Sequence, residues 1–152
     1  MKFLLDLISN QMLIAAVLGW TVAQVSKTIL VLILDKELRW ERLVGSGGMP
    51  SSHSATVCAL AASAAMVHGA DSGHFAIASI FAFIVMYDAC NVRLESGKQA
   101  AAINELHEFL KKMGEGIPVE EKLKELIGHT FPQVLVGAAL GIAIGIVVPL
   151  WI

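Results

Sequence analysis

From Val134 to Ile152 the chain carries no charged side chain, and Phe75 to Tyr87 is apolar without a break. Two further stretches are of the same kind. Met12 to Leu34 is nearly all apolar, with Gln24, Ser26 and Lys27 as its main polar breaks, and Ala55 to Ala70 is a run of small apolar residues. A membrane-spanning helix needs about 20 mainly apolar residues, within a range of about 17–25. The spacing therefore predicts an all-α integral membrane bundle of about four transmembrane helices, over residues 10–34, 52–70, 74–92 and 131–152, in a single domain 1–152. The second span is the short one. The first is too long for the apolar core of a signal peptide, and no small-residue cleavage site follows it, so it is expected to stay.

Composition agrees. The chain is 56% hydrophobic and 16% charged, with a mean hydropathy of +0.70, whereas a soluble domain carries about 25% charged residues. A net charge of -2 and the lack of a basic face argue against a nucleic-acid partner. Cys58 and Cys90 have neither CxxC nor zinc spacing and read as buried thiols.

The basic residues are unevenly placed. Lys36, Arg39 and Arg42 follow the first span, and Arg93, Lys98, Lys111, Lys112, Lys122 and Lys124 follow the third, while the turn around 69–73 and the C-terminal end have none. The positive-inside rule puts those two loops in the cytoplasm and both termini outside. Leu106, Phe109, Leu110 and Met113 recur at helical spacing, as do Val119, Leu123 and Leu126. Residues 97–127 are thus expected to form a pair of amphipathic helices lying on the membrane surface, their charges a solvated face. Gly137, Gly141 and Gly145 make a small-residue ridge on the fourth span, suited to an internal helix contact or to a homodimer face, the internal contact being preferred.

Four regions bring polar groups to one rim. Gly47 to Ser54 opens the second span, with Pro50 in the first turn, Ser51 or Ser52 as cap, and His53 beside them. A helix mouth of this kind can hold an anion. Gly128 to Gln133 opens the fourth span at the same depth, with His129 and Gln133 four residues apart on one face. Asp88 and Arg93 close the third span, and an ionised carboxylate at that depth demands a partner. Lys27 lies inside the first span, where it either snorkels or meets a buried partner or anion, the second being favoured. Positive charge from Lys27, Lys36, Arg39, Arg42, Arg93 and Lys98, together with two histidines, suits a phosphate carried on a membrane-soluble molecule. There is no Walker P-loop, no HExxH and no paired acidic cluster, so neither a metal nor a cofactor is expected.

Gly-Gly-Met-Pro-Ser-Ser-His-Ser-Ala, Val-Met-Tyr-Asp-Ala followed by Val92-Arg93, Gly97-Lys98-Gln99-Ala100 and Leu-Ile-Gly-His-Thr closely resemble the small divergent branch of the type 2 phosphatidic acid phosphatase and vanadium haloperoxidase superfamily. The resemblance covers nearly the whole chain. Pro50-Ser51-Ser52-His53 matches the superfamily's Pro-Ser-Gly-His motif with Ser52 for glycine. His129 and Gln133 match its His-to-Asp spacing with an amide for the carboxylate. Glu121, Lys122 and Leu123 stand where its Ser-Arg pair would, a place Arg93 or Lys98 could fill.

The resemblance implies a metal-independent hydrolase acting on a lipid or isoprenoid mono- or diphosphate. His129 would be the nucleophile forming a phosphohistidine and His53 the general acid. Gln133 and Asp88 would orient the catalytic groups, and Lys27, Arg42, Ser51, Ser52, Arg93 and Lys98 would bind phosphate. The expected setting is a multi-pass protein of the plasma membrane, its partners the bilayer and its lipid substrate. Two alternatives are a non-catalytic lipid-phosphate binder or carrier and a structural membrane subunit.

Overall fold

The structure, a computed structural model, describes residues 2–36, 47–114, 122–125 and 127–151. It is built of helices: α1 (Lys2–Ile8), α2 (Gln11–Asp35), α3 (Ser52–His68), α4 (Gly73–Cys90), α5 (Val92–Lys112) and α6 (Phe131–Trp151). Among the described residues there is no strand. Side-chain caps set several starts. Asn10 accepts from the Leu13 N–H, Ser51 from that of Ser54, and Ser72 from that of Phe75. Each supplies an acceptor for an amide that has no partner in the first turn.

The packing inverts that of a soluble bundle. The core is made of small side chains, among them Ala15, Ala23, Ala55, Ala59, Ala64 and Ala89, all fully buried. The large apolar ones, such as Ile77, Phe83 and Leu150, point outward and are more than 60% exposed. In a bilayer this costs nothing, because lipid tails are as apolar as leucine and helices associate by close contact between small residues. α2, α4 and α6 are each long and apolar enough to cross a membrane. α3, with its 17 residues, is shorter, reaching about 26 Å, and lies at the centre against α2, α4 and α6. The expected four-helix bundle is therefore three long helices around a shorter buried one.

The glycine ridge of α6 is an internal contact. A Cβ on Gly137, Gly141 or Gly145 would collide with the carbonyl oxygen of Ser51, Ala55 or Ala59 respectively. Glycine at every fourth position thus meets every fourth carbonyl of α3, and the two backbones touch. α2 approaches the same carbonyl: a Cβ on Gly19 would come within 2.8 Å of the Ala55 oxygen that Gly141 also meets.

The connection after the third span differs from expectation. α5 starts at Val92, directly after α4, rather than near residue 97, and Gly97 lies inside it. The glycine does not end the helix because its bare face receives the chain returning toward α6. A Cβ there would lie 2.5 Å from the Glu125 carbonyl and 2.8 Å from that of Ile127. A second amphipathic helix is not present where the structure describes that stretch, since residues 122–125 have no regular secondary structure. Their backbone is held instead by Asn104 of α5.

Candidate active site

The rim where α3 and α6 begin collects the polar groups. Gly47 and Gly48 both have positive φ, +88° and +81°. This turn, open chiefly to glycine, aims the Gly48 carbonyl at His129, and a Cβ on Gly48 would meet the stem of Lys27 at 3.5 Å. Lys27 is 1% exposed and its charge is felt at His129.

His129 is 1% exposed and its backbone N–H donates to the Ala89 carbonyl at 2.9 Å. Its Nδ1 lies 3.1 Å from the Gly48 carbonyl oxygen. A carbonyl can only accept, so the proton sits on Nδ1 and Nε2 carries the lone pair. That Nε2 lies 3.4 Å from Nδ1 of His53. The rings meet edge-on, with centroids 5.5 Å apart. Burial pushes the His129 pKa down to about 4, aided by His53 and the Lys27 charge and opposed by contacts with Gln133 and Gly48. A charge on this ring would be poorly solvated, so His129 is neutral at pH 7 with an available Nε2 lone pair.

Two groups contact the His129 ring, the anticipated Gln133 side chain and the Gly48 carbonyl. Gln133 Oε1 accepts from the Thr130 N–H at 3.0 Å, closing the first turn of its own helix, and the Gly48 carbonyl holds Nδ1. Ser51 is spent on the fold: its N–H donates to the Gln133 carbonyl at 3.1 Å and its Oγ accepts from the Ser54 N–H. Ser52 and His53 instead line a cleft of about 620 Å³. Asp88 and Arg93 stand at its polar end, and Trp20, Val57, Phe81, Ile84 and Val85 form its apolar walls. Phe81 and Ile84 are at least half exposed, so the cleft is open on the lipid-facing side. Arg93 Nε donates to Asp88 Oδ2 at 2.5 Å.

Lys98 is not brought to the cluster. It is exposed on α5 and ion-paired with Glu95 at 2.6 Å. Arg42 lies outside the described residues. Cys58 is buried and Cys90 half-buried, both as free thiols. The Gly48 carbonyl has no side-chain signature in the sequence. The Gly-Gly pair before Pro50 is its trace.

A family model, the divergent PAP2 family, matches residues 8–144. The chain belongs to the divergent PAP2 family. It is also similar to an uncharacterized membrane protein of Bacillus subtilis (strain 168), YuiD, with 38% identity over 152 residues, covering 94% of this chain and 96% of that protein. No solved structure matches it. Family membership makes the chain a PAP2-related protein of a lipid bilayer, and the three long apolar helices agree.

Proposed function

We propose that the protein is a metal-independent phosphatase of a membrane lipid or isoprenoid phosphate, working through a phosphohistidine on His129. One observation carries this reading: a buried neutral imidazole, fixed by Nδ1 to the Gly48 carbonyl, presents Nε2 beside His53 and the polar end of a lipid-facing cleft. A nucleophile needs a lone pair, a fixed direction and a nearby proton donor. An amphiphile would place its phosphate at His53, Ser52 and Arg93 and its chain along Trp20, Phe81 and Ile84.

In the reaction, the phosphoryl group enters between the two rings. Nε2 of His129 attacks phosphorus in line, the P–N bond forms as the P–O bond to the lipid breaks, and His53 gives a proton to the departing oxygen. Water then attacks the phosphohistidine, His53 takes its proton, and orthophosphate leaves with the P–N electron pair returning to His129. Lys27 and Arg93 offset the charge that builds on the phosphoryl oxygens. Asp88 holds Arg93 at the cleft mouth. The distribution of basic loops supports a cytoplasmic setting for this site.

The test is phosphate release by purified protein in detergent, from phosphatidate, phosphatidylglycerophosphate and isoprenyl mono- and diphosphates, with EDTA present. Release that survives EDTA and disappears in His129→Ala is expected, with an acid-labile phosphoenzyme in the wild type. No release from any substrate, with vanadate still bound, would replace the phosphatase by a lipid-phosphate binder.

A further inference from the structure

The cleft accounts for Ser52, His53, Asp88 and Arg93, but not for the polar contacts that tie α5 to the chain entering α6. We propose that Asn104, remote from the cleft, is a positioning residue for His129, acting by clamping the connection that delivers the ring to Gly48 and His53.

Asn104 Nδ2 donates to the Leu123 carbonyl at 2.9 Å, and the Leu123 N–H donates to Asn104 Oδ1 at 3.0 Å. A side-chain amide has a donor and an acceptor at one end, as a peptide does, so it can pair with both backbone groups of one residue. Nδ2 also donates to Glu125 Oε1 at 2.8 Å.

The same stripe of α5 continues the clamp. Gly97, two turns earlier, faces the carbonyls of Glu125 and Ile127, and Leu94 at the helix start lies against Gly128. Thus Asn104 meets Leu123, Gly97 meets Glu125 and Ile127, and Leu94 meets Gly128: the connection runs antiparallel to the helix. The ten-residue interval from Leu94 to Asn104 spans about 15 Å of helix. The contacts are spread along that length of α5 and end on the residue before His129.

Beyond Gly128 the chain is fixed by the His129 N–H on Ala89 and its Nδ1 on Gly48. Gly128 has a φ of +92° and packs so tightly on Arg93 and Leu94 that no Cβ would fit. The clamp therefore sets the ring relative to the start of α5, which also carries Arg93. Asn104 itself touches none of the cleft residues. It acts through the backbone.

The clamp governs the geometry of His129, and its catalytic consequence rests on the phosphatase reading. The two are separated by observing the ring directly. Full-length protein with 15N-labelled histidine is placed in lipid nanodiscs, and the His129 signals are assigned by their loss in His129→Asn. The nitrogen shifts report the tautomer. The wild type is expected to show a neutral ring with the proton on Nδ1 at pH 7. Asn104→Ala is expected to give a tautomer mixture and a raised titration midpoint, because the ring leaves Gly48 and meets water. Asn104→Asp, which keeps an acceptor for the Leu123 N–H but has no amide donor, should move in the same direction. Asn104→Gln, with the same amide on a longer stem, should restore part of the wild-type signature. Glu108→Gln removes only an exposed ion pair to Lys122 and should leave the ring unchanged.

Under the phosphatase reading, kcat of Asn104→Ala should fall about tenfold with KM nearly constant. Folded Asn104→Ala and Asn104→Asp proteins with the wild-type tautomer and titration would overturn the proposal. Loss of the helical fold in both would also overturn it, since the amide would then hold the fold rather than the ring. A wild type without turnover would end the phosphatase reading and leave the nitrogen result standing.

Discussion

α3 brings two imidazoles together at each of its ends. At the far end His68 and His74 stack with centroids 4.2 Å apart and planes 20° from parallel, both exposed, across the turn that joins α3 to α4. At the near end His53 and His129 meet edge-on at 5.5 Å, 76 positions apart in the chain. The first pair is closer but is held by one turn alone. The second is held by four elements: α2 supplies Lys27, the glycine turn supplies the Gly48 carbonyl, α3 supplies His53, and the connection before α6 supplies His129. Proximity of two histidines follows from any short hairpin. Burial of a neutral ring with one nitrogen committed and the other presented requires the whole bundle.

The sharpest way to break the contrast is by substitution at both ends. Under the phosphatase reading, His129→Ala should lower phosphate release at least about 10³-fold, because covalent and acid–base terms would be lost together. His68→Ala and His74→Ala should leave it unchanged. Equal losses at the two ends, measured on the same substrate panel, would remove the reason to separate them.

Acid should separate them next. His129 has an ordinary value of 6.5 when unfolded and about 4 in the fold, lowered first by burial. This is the case of a buried neutral base. Its burial carries no protonation penalty above pH 6.5. As pH falls from 6.5 toward 4 the unfolded chain gains a proton that the folded chain does not, so stability declines. Below about 4 the decline stops. The loss is on the order of 3 kcal/mol. It should appear in unfolding from pH 7 to 4, and be absent from His129→Asn, while His74→Asn retains it.

The fold is far more legible in the sequence than the site's geometry. Length and apolarity mark α2, α4 and α6 directly, because a bilayer reads total hydropathy. The glycine triplet of α6 marks a backbone contact, though not that its partner is the alanine- and serine-rich α3. The two histidines are visible as helix-mouth residues. Their geometry is not, because a backbone carbonyl, that of Gly48, holds Nδ1 of His129. Gln133, chosen by its spacing, caps the first turn of its own helix and also contacts the ring. The expected second amphipathic helix is not seen at residues 122–125, where a helical pattern of apolar residues does not reveal that Asn104 will pair with the backbone.

Glycine substitutions extend the comparison to packing. Gly137→Ala, at the His129 end, places a methyl on the Ser51 carbonyl, and neither backbone can yield. It should destabilise by about 2–3 kcal/mol. A Cβ on Gly73, in the far turn, would meet no atom within 4 Å, and Gly73→Ala should be neutral to about 1 kcal/mol stabilising. Unfolding in mixed detergent micelles would measure both, and a similar effect at the two glycines would mean that the near end is no more tightly built.

The smallest effect is expected between the two ends. Ser63 is fully buried on α3, and its Oγ has no hydrogen-bond partner among the described residues. Its backbone nitrogen lies 3.0 Å from where a Cβ on Gly145 of α6 would sit, so the residue is in the packed α3–α6 contact. Removing an unsatisfied hydroxyl while keeping the Cβ relieves desolvation without opening a large cavity. Ser63→Ala should therefore stabilise the protein by about 1 kcal/mol and leave phosphate release untouched. Destabilisation with lost activity would mean that the hydroxyl has a role in the working protein, and the division of α3 into a built end and a plain middle would have to move toward its C-terminus.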